Sequence, residues 1–228
     1  MIDIIEGFGA ICGMKLIWLA MALASEQAFS ASHRSLVVVS DIDDTIKETR
    51  VLRSLIRRDG SVIYAKNFRH LAGDPFRTWI PVRGMADRYR TWEAVDSVEF
   101  VYLSSSPWFY RRRINRFLHQ SGFPLGKLYL NAEFPITPAD FKTKILEQMI
   151  LRGRGQSFVL IGDTGEDDRK VYQRSAERFP SQVKGIFLRD VTPMRKACQP
   201  SKASSLRTAL PTVLFTEGNS LPASLRAH

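Results

Sequence analysis

Cysteine is nearly missing from this sequence. Its 228 residues contain two, Cys12 close to the start and Cys198 close to the end, so the long segment between them offers no disulfide framework. No stretch repeats another. The longest uninterrupted apolar run, residues 16–24, is well short of the roughly 20 residues that cross a bilayer. Disordered and fibrous classes are excluded too, because 44% of the residues are hydrophobic, enough at this length for the core of one α/β domain with a small insertion.

Charge of one sign is in excess. There are 33 Lys and Arg against 23 Asp and Glu, a formal +10, which suits an anionic partner: a phosphate ester, a nucleic acid or an acidic membrane surface. No RNA- or DNA-binding motif accompanies the charge, and no protein partner is evident.

The apolar run at residues 16–24 follows Lys15 and ends in an Ala-x-Ala pattern, which reads as a secretory signal with its cleavage site. Asp3 and Glu6 spoil the usual positive leader; a start at Met14 would restore it. The expectation is a signal peptide and short linker over residues 1–30, with the remainder exported, periplasmic or secreted.

Further along, apolar and β-branched runs predict buried strands at 36–39, 98–103, 128–130, 158–161 and 183–188. Between them, helical patterns fall at 85–94, 108–119, 141–151 and 167–179. Alternating strands and helices predict a Rossmann-like α/β fold, a doubly wound parallel sheet spanning residues 31–197. Residues 50–83 break the alternation with Gly60, Gly73, Pro75 and Pro81 among aromatics, as a small cap insertion would. From residue 198 onward the chain is rich in Ser, Pro and Ala with little periodicity, so 198–228 is expected to be a flexible tail.

The chemistry-bearing residues lie where those strands end. Asp41-Ile42-Asp43-Asp44-Thr45 follows the first strand, at the carboxyl edge where open α/β sheets bind ligands. Asp41 and Asp43 are expected to point to the same side, and two close carboxylates need a cation; Mg²⁺ meets that need and also neutralises a phosphate. One Asp can attack phosphorus while the other protonates the leaving oxygen. Such a motif also serves as a turn or helix cap, so other elements must support it. The strand at 158–161 runs into Gly162-Asp163-Thr164-Gly165-Glu166-Asp167-Asp168, a second acidic loop that a parallel neighbour brings to the same edge. Ser104 ends the strand at 98–103 and is placed to bond a phosphate oxygen. Ser106 and Pro107 read as the cap and first residue of the next helix. Lys142, near the start of the helix preceding the Asp163 strand, can reach a phosphate, with Lys144 as the alternative.

An acidic pair, a serine, a lysine and an acidic loop, in that order, resemble the four motifs of haloacid dehalogenase (HAD) phosphatases. More narrowly, the segments around Asp41, Ser104 and Asp163, with Gly122-Phe123-Pro124-Leu125-Gly126 and Leu188-Arg189-Asp190-Val191, resemble the phosphatidate phosphatase catalytic domain of actin-patch type. That resemblance covers about residues 35–195. It implies Asp41 as the phosphorylated nucleophile, Asp43 as acid and then base, and Ser104 and Lys142 as phosphate holders. Metal ligands are expected among Asp41, Asp43, Asp163 and Asp168, with Mg²⁺ as the cofactor. Thr164, Glu166 and Arg169 depart from the usual Ser, Gln and Pro without removing a catalytic group. Phosphatidate or a related lipid phosphate is the implied substrate, with peripheral contact to an anionic membrane. Nucleic-acid ends or soluble phosphate esters are the alternative substrates, and a phosphoacceptor receiver-like domain is the non-enzymatic alternative.

Overall fold

The computed structural model describes residues 35–48, 52–56, 62–66, 79–132, 136–165, 167–191 and 210–226. The expected signal segment, most of the 50–83 insertion and the chain between 192 and 209 lie outside those residues.

Six strands form one parallel sheet: β1 (Leu36–Ser40), β4 (Glu99–Pro107), β5 (Gly126–Asn131), β6 (Ser157–Asp163), β7 (Val183–Arg189) and β8 (Thr212–Phe215), in the order β5-β4-β1-β6-β7-β8. β2 (Leu52–Ile56) and β3 (Val62–Lys66) pair antiparallel as a separate two-stranded sheet within the expected cap. The helices are α1 (Met85–Asp96), α2 (Arg111–Gln120), α3 (Pro138–Arg152) and α4 (Asp168–Arg178). A 3₁₀ turn, Trp108–Tyr110, leads into α2. Among the described residues, no helix is long and apolar enough to cross a membrane.

Side-chain alternation along the strands divides the core into two layers. Val38 of β1 packs with Phe100, Tyr102 and Ile161 under α1 and α2, which contribute Met85, Tyr89, Trp92, Ile114 and Phe117. Val37 and Val39 face the other way, joining Val101, Leu103 and Leu160 under α3 and α4, with Phe141, Leu146, Ile150, Val171 and Tyr172. Both faces of the sheet are therefore covered, and this is why its strands read as continuous apolar runs rather than alternating ones.

Two expectations need correction. Residues 210–226 are no tail: β8 pairs in parallel with β7, and Phe215, Leu221 and Leu225 are buried in the core. The segment closes against α1, where Ser224 Oγ and the Leu225 N–H donate to the buried Asp96 carboxylate at 2.7 and 2.8 Å. Its backbone passes so close to the start of α1 that a Cβ on Gly218 would lie 2.1 Å from the Gly84 carbonyl. Only glycine fits there. Second, Ser106 and Pro107 do not open a helix; they extend β4, and helical geometry begins at Trp108.

Candidate active site

The topology brings three strand ends together. β1 lies between β4 and β6, and Ser40 is in register with Tyr102 on one side and Ile161 on the other. Asp41, Ser104 and Asp163 therefore emerge within two residues of a common level at the carboxyl edge. The chain order reverses about β1, which makes this the switch point of the sheet.

After Ser40 the chain leaves the strand and folds into a tight turn. The Asp41 N–H still donates to the Ile161 carbonyl at 2.8 Å, which locks the residue against β6. Beyond it Ile42 and Ile46 anchor the turn in the core, and the Ile46 and Lys47 N–H groups both return to the Ile42 carbonyl. Asp44 takes a left-handed conformation at φ 59°, with its carbonyl held by Arg189 Nη1 at 2.9 Å. Lys142 arrives from the opposite layer. Thr137 caps α3 by accepting from the Asp140 N–H at 3.1 Å, and Pro138 opens the helix, so Lys142 comes in its first turns beneath the sheet edge.

Asp41, Asp43, Ser104, Lys142, Asp163 and Asp168 are all buried, none more than 8% exposed. Lys142 Nζ lies 2.7 Å from Asp41 Oδ1 and 2.5 Å from Asp168 Oδ1. Lys144, by contrast, is exposed. Asp168 also accepts from the Asp163 N–H through Oδ2 at 3.3 Å, and a Cβ on Gly162 would meet that same oxygen at 2.4 Å. Glycine at 162 is what lets the start of α4 close onto the sheet. Asp163 Oδ1 accepts from the Gly165 N–H.

Asp41, Asp163 and Asp168 each offer a carboxylate oxygen within 4.8 Å of the others. Three carboxylates and one ammonium leave two negative charges over, and the donors are hard oxygens. That is the donor chemistry and the charge that suit a divalent cation. The Asp43 carboxylate, expected in the same set, is directed elsewhere. Its Oδ1 lies 2.6 Å from Lys47 Nζ, and its Oδ2 accepts from Ser104 Oγ at 3.2 Å and Ser106 Oγ at 3.0 Å. The four expected metal carboxylates thus separate into three plus one: β1 ends at Ser40, so strand alternation does not carry on to align Asp43 with Asp41.

Burial raises the Asp41 carboxyl well above the ordinary carboxylate range; Lys142 opposes this, while Asp168, Asp163 and Asp43 add to it. A cation among those carboxylates acts in the same sense as Lys142, favouring the ionised form.

Sequence reasoning passed over two groups and read a third, Ser106, as a helix cap. Thr45 Oγ1 donates to Asp41 Oδ2 at 3.1 Å, orienting the carboxylate. Lys47 carries the countercharge of Asp43, and its position four residues later in the same motif was the available signal. Ser106 reaches Asp43 through an irregularity in β4, where two residues are inserted between the Ser104 and Pro107 pairings with β5.

A doubly wound parallel sheet with buried carboxylates, a lysine and paired serines converging at its switch point defines an α/β enzyme site built for phosphate chemistry. Comparison with known families narrows the class. The model of "Phosphatidate phosphatase APP1, catalytic domain" matches residues 36–190, and the chain belongs to that family of phosphatase catalytic domains. An uncharacterized protein of Schizosaccharomyces pombe is 30% identical over 189 residues, 79% of this chain and 29% of its own length. Phosphatidate phosphatase APP1 of Saccharomyces cerevisiae is 28% identical over 159 residues, 67% of this chain and 25% of its own. The chain thus spans between a quarter and three tenths of the length of these curated relatives. No solved structure matches it.

Proposed function

We propose that this chain is a Mg²⁺-dependent phosphomonoesterase that works through an aspartyl phosphate on Asp41, with phosphatidate or a related lipid phosphate as substrate. The supporting observation is Lys142 held between Asp41 and Asp168, beside an acidic cluster with two charges to spare.

Thr45 and Lys142 fix the Asp41 carboxylate at its two oxygens, so its attack on phosphorus is oriented before substrate arrives. The new bond joins an Asp41 oxygen to phosphorus, and the bond from phosphorus to the ester oxygen breaks. Asp43, which enters this step protonated, gives its proton to the departing alkoxide and is left as the carboxylate. It then takes a proton from a water that attacks the acyl phosphate, releasing inorganic phosphate and regenerating Asp41. Ser104 and Ser106, both donating to Asp43, are placed to turn toward phosphate oxygens when substrate enters. Asp41, Asp163 and Asp168 would hold Mg²⁺, which supplies charge neutralisation for the phosphoryl group. The receiver-like alternative is disfavoured because Asp43 shares a turn with the nucleophile and would hasten loss of the phosphoryl group.

The substrate class rests on the name of the Saccharomyces cerevisiae relative. The test is phosphate release from phosphatidate, a nucleotide, a 5′-phosphorylated oligonucleotide and a sugar phosphate, with Mg²⁺ and with chelator, for the native chain and Asp41→Asn. Magnesium-dependent release from phosphatidate that Asp41→Asn abolishes is the expected result. Full activity of that variant overturns the mechanism, and preference for a soluble ester overturns the substrate. We further propose that residues 16–24 direct export; intact-mass measurement of the native protein tests it, and an uncleaved amino terminus refutes it.

A further inference from the structure

We infer that the 3₁₀ turn Trp108–Tyr110 and the arginines after it form a docking lip that seats the site on an anionic phospholipid bilayer. The inference deepens the lipid-phosphate reading and rests on it for the choice of occupant.

Trp108 and Phe109 are 59% and 61% exposed, two consecutive aromatics presented to solvent. Single exposed apolar residues are ordinary on protein surfaces, but adjacent aromatics at this exposure mark a contact surface. The rings touch each other edge to face, with centroids 6.2 Å apart, and Phe109 packs against Tyr110 at 4.8 Å, so the turn is braced from within. Its base is fixed as well, because α2 buries Ile114, Phe117 and Leu118 in the core and leaves Arg111, Arg112 and Arg116 exposed. From Pro107 to Gln120 there are four arginines and no acidic residue.

The position of the turn ties it to the site. It follows directly on Ser106, whose hydroxyl donates to Asp43. On the neighbouring segment, the Trp79 ring lies against both Lys47, the partner of Asp43, and Arg113 of α2, at 3.8 and 4.4 Å. Ile80, next in sequence, is 58% exposed. Aromatic side chains flanked by arginines match the bilayer interface, where amphipathic rings enter the headgroup layer and guanidinium groups meet lipid phosphates. A protein partner with an acidic rim could use the same rings and arginines, so the bilayer is chosen on the lipid-phosphate reading, and binding to bare anionic vesicles tests it.

The experiment uses vesicles that contain no phosphomonoester, so that binding is independent of the reaction. The full chain is sedimented with phosphatidylcholine vesicles and with phosphatidylcholine mixed about 4:1 with phosphatidylserine. Binding to the anionic vesicles alone is expected, weakened by salt. The double variant Trp108→Ala/Phe109→Ala should lose about tenfold in partitioning. Arg111→Gln/Arg112→Gln should lose a similar factor, with thermal unfolding unchanged in both. Absence of binding by the native chain, or equal binding by the aromatic variant, overturns the lip. Hydrolysis of short-chain soluble phosphatidate, measured alongside, separates the two readings: turnover without vesicle binding removes the lip alone, and vesicle binding without turnover of any ester removes the phosphatase reading alone.

Discussion

Lys47 Nζ lies 2.6 Å from Asp43 Oδ1, both side chains being about nine-tenths buried, and the same ammonium lies 3.8 Å from the centroid of the Trp79 ring. The pair, four residues apart on one turn, makes the charge of Asp43 tolerable inside the protein. Removing one member of a buried pair leaves the other charge without compensation, at a cost of about 3–5 kcal/mol. Lys47→Met is therefore expected to lower the urea midpoint at constant m-value, by that cost divided by m, and to reduce phosphate release as well. A variant with native stability and native rate would show that the pair carries neither.

The acidic cluster predicts a dependence on pH that a cation should remove. Asp41 is raised above the ordinary carboxylate range, chiefly by burial. In metal-free protein, over the pH range between its unfolded and folded values, the folded state keeps a proton that the unfolded state has released. Stability then falls as pH rises through that window. Saturating Mg²⁺ should oppose that fall and stabilise the fold, by about 2.7 kcal/mol at a hundredfold excess over Kd. Asp163→Asn should abolish most of the magnesium-induced shift. Thermal melts with chelator and with Mg²⁺ across acidic to neutral pH check both statements, and identical melts under the two conditions would refute the site.

Ser104 and Ser106 both donate to Asp43 Oδ2, at 3.2 and 3.0 Å. Hydrogen bonds to a charged group contribute about 1.5–3 kcal/mol each, so losing a hydroxyl that turns to the phosphate in the proposed mechanism should cost either alanine variant about tenfold to a hundredfold in kcat/KM. The loss for the double variant is expected to differ from the sum of the two, because they share one acceptor. If Ser106→Ala is silent while Ser104→Ala is impaired, Ser106 takes no part in binding the phosphate.

Much of the fold was legible because strands buried on both faces must be apolar throughout, as in 36–39 and 158–161, and because the intervening helices repeat their buried positions. The order of acidic pair, serine, lysine and acidic loop was legible for a related reason: parallel strands deliver their carboxyl ends to one edge. What escaped was tertiary in origin. The inserted residues of β4 that bring Ser106 to Asp43 leave no trace in local propensity, and the end of β1 at Ser40, before either aspartate of the pair, is not visible in strand periodicity. β8 was missed because four residues, Thr212–Phe215, are too short for a periodic signal and lie among Ser and Pro.

That last segment gives the most direct test of the architecture. Phe215, Leu221 and Leu225 are each buried, and at about 1.5–3 kcal/mol per side chain their removal withdraws about 5–9 kcal/mol. The total stability of a domain is only about 5–15 kcal/mol. Deletion from residue 210 onward would also strip β7 of its outer partner and leave the Asp96 carboxylate buried without the Ser224 hydroxyl and the Leu225 N–H. The shortened chain is expected to be insoluble or to lack a cooperative unfolding transition. Point variants grade the same effect in full-length protein. Leu225→Ala should cost about 2–5 kcal/mol through the cavity it leaves, and Ser224→Ala about 1 kcal/mol through the lost hydrogen bond. Urea unfolding followed by circular dichroism measures all three. A truncated chain that unfolds at the native midpoint would mean that residues 210–226 are dispensable to the fold.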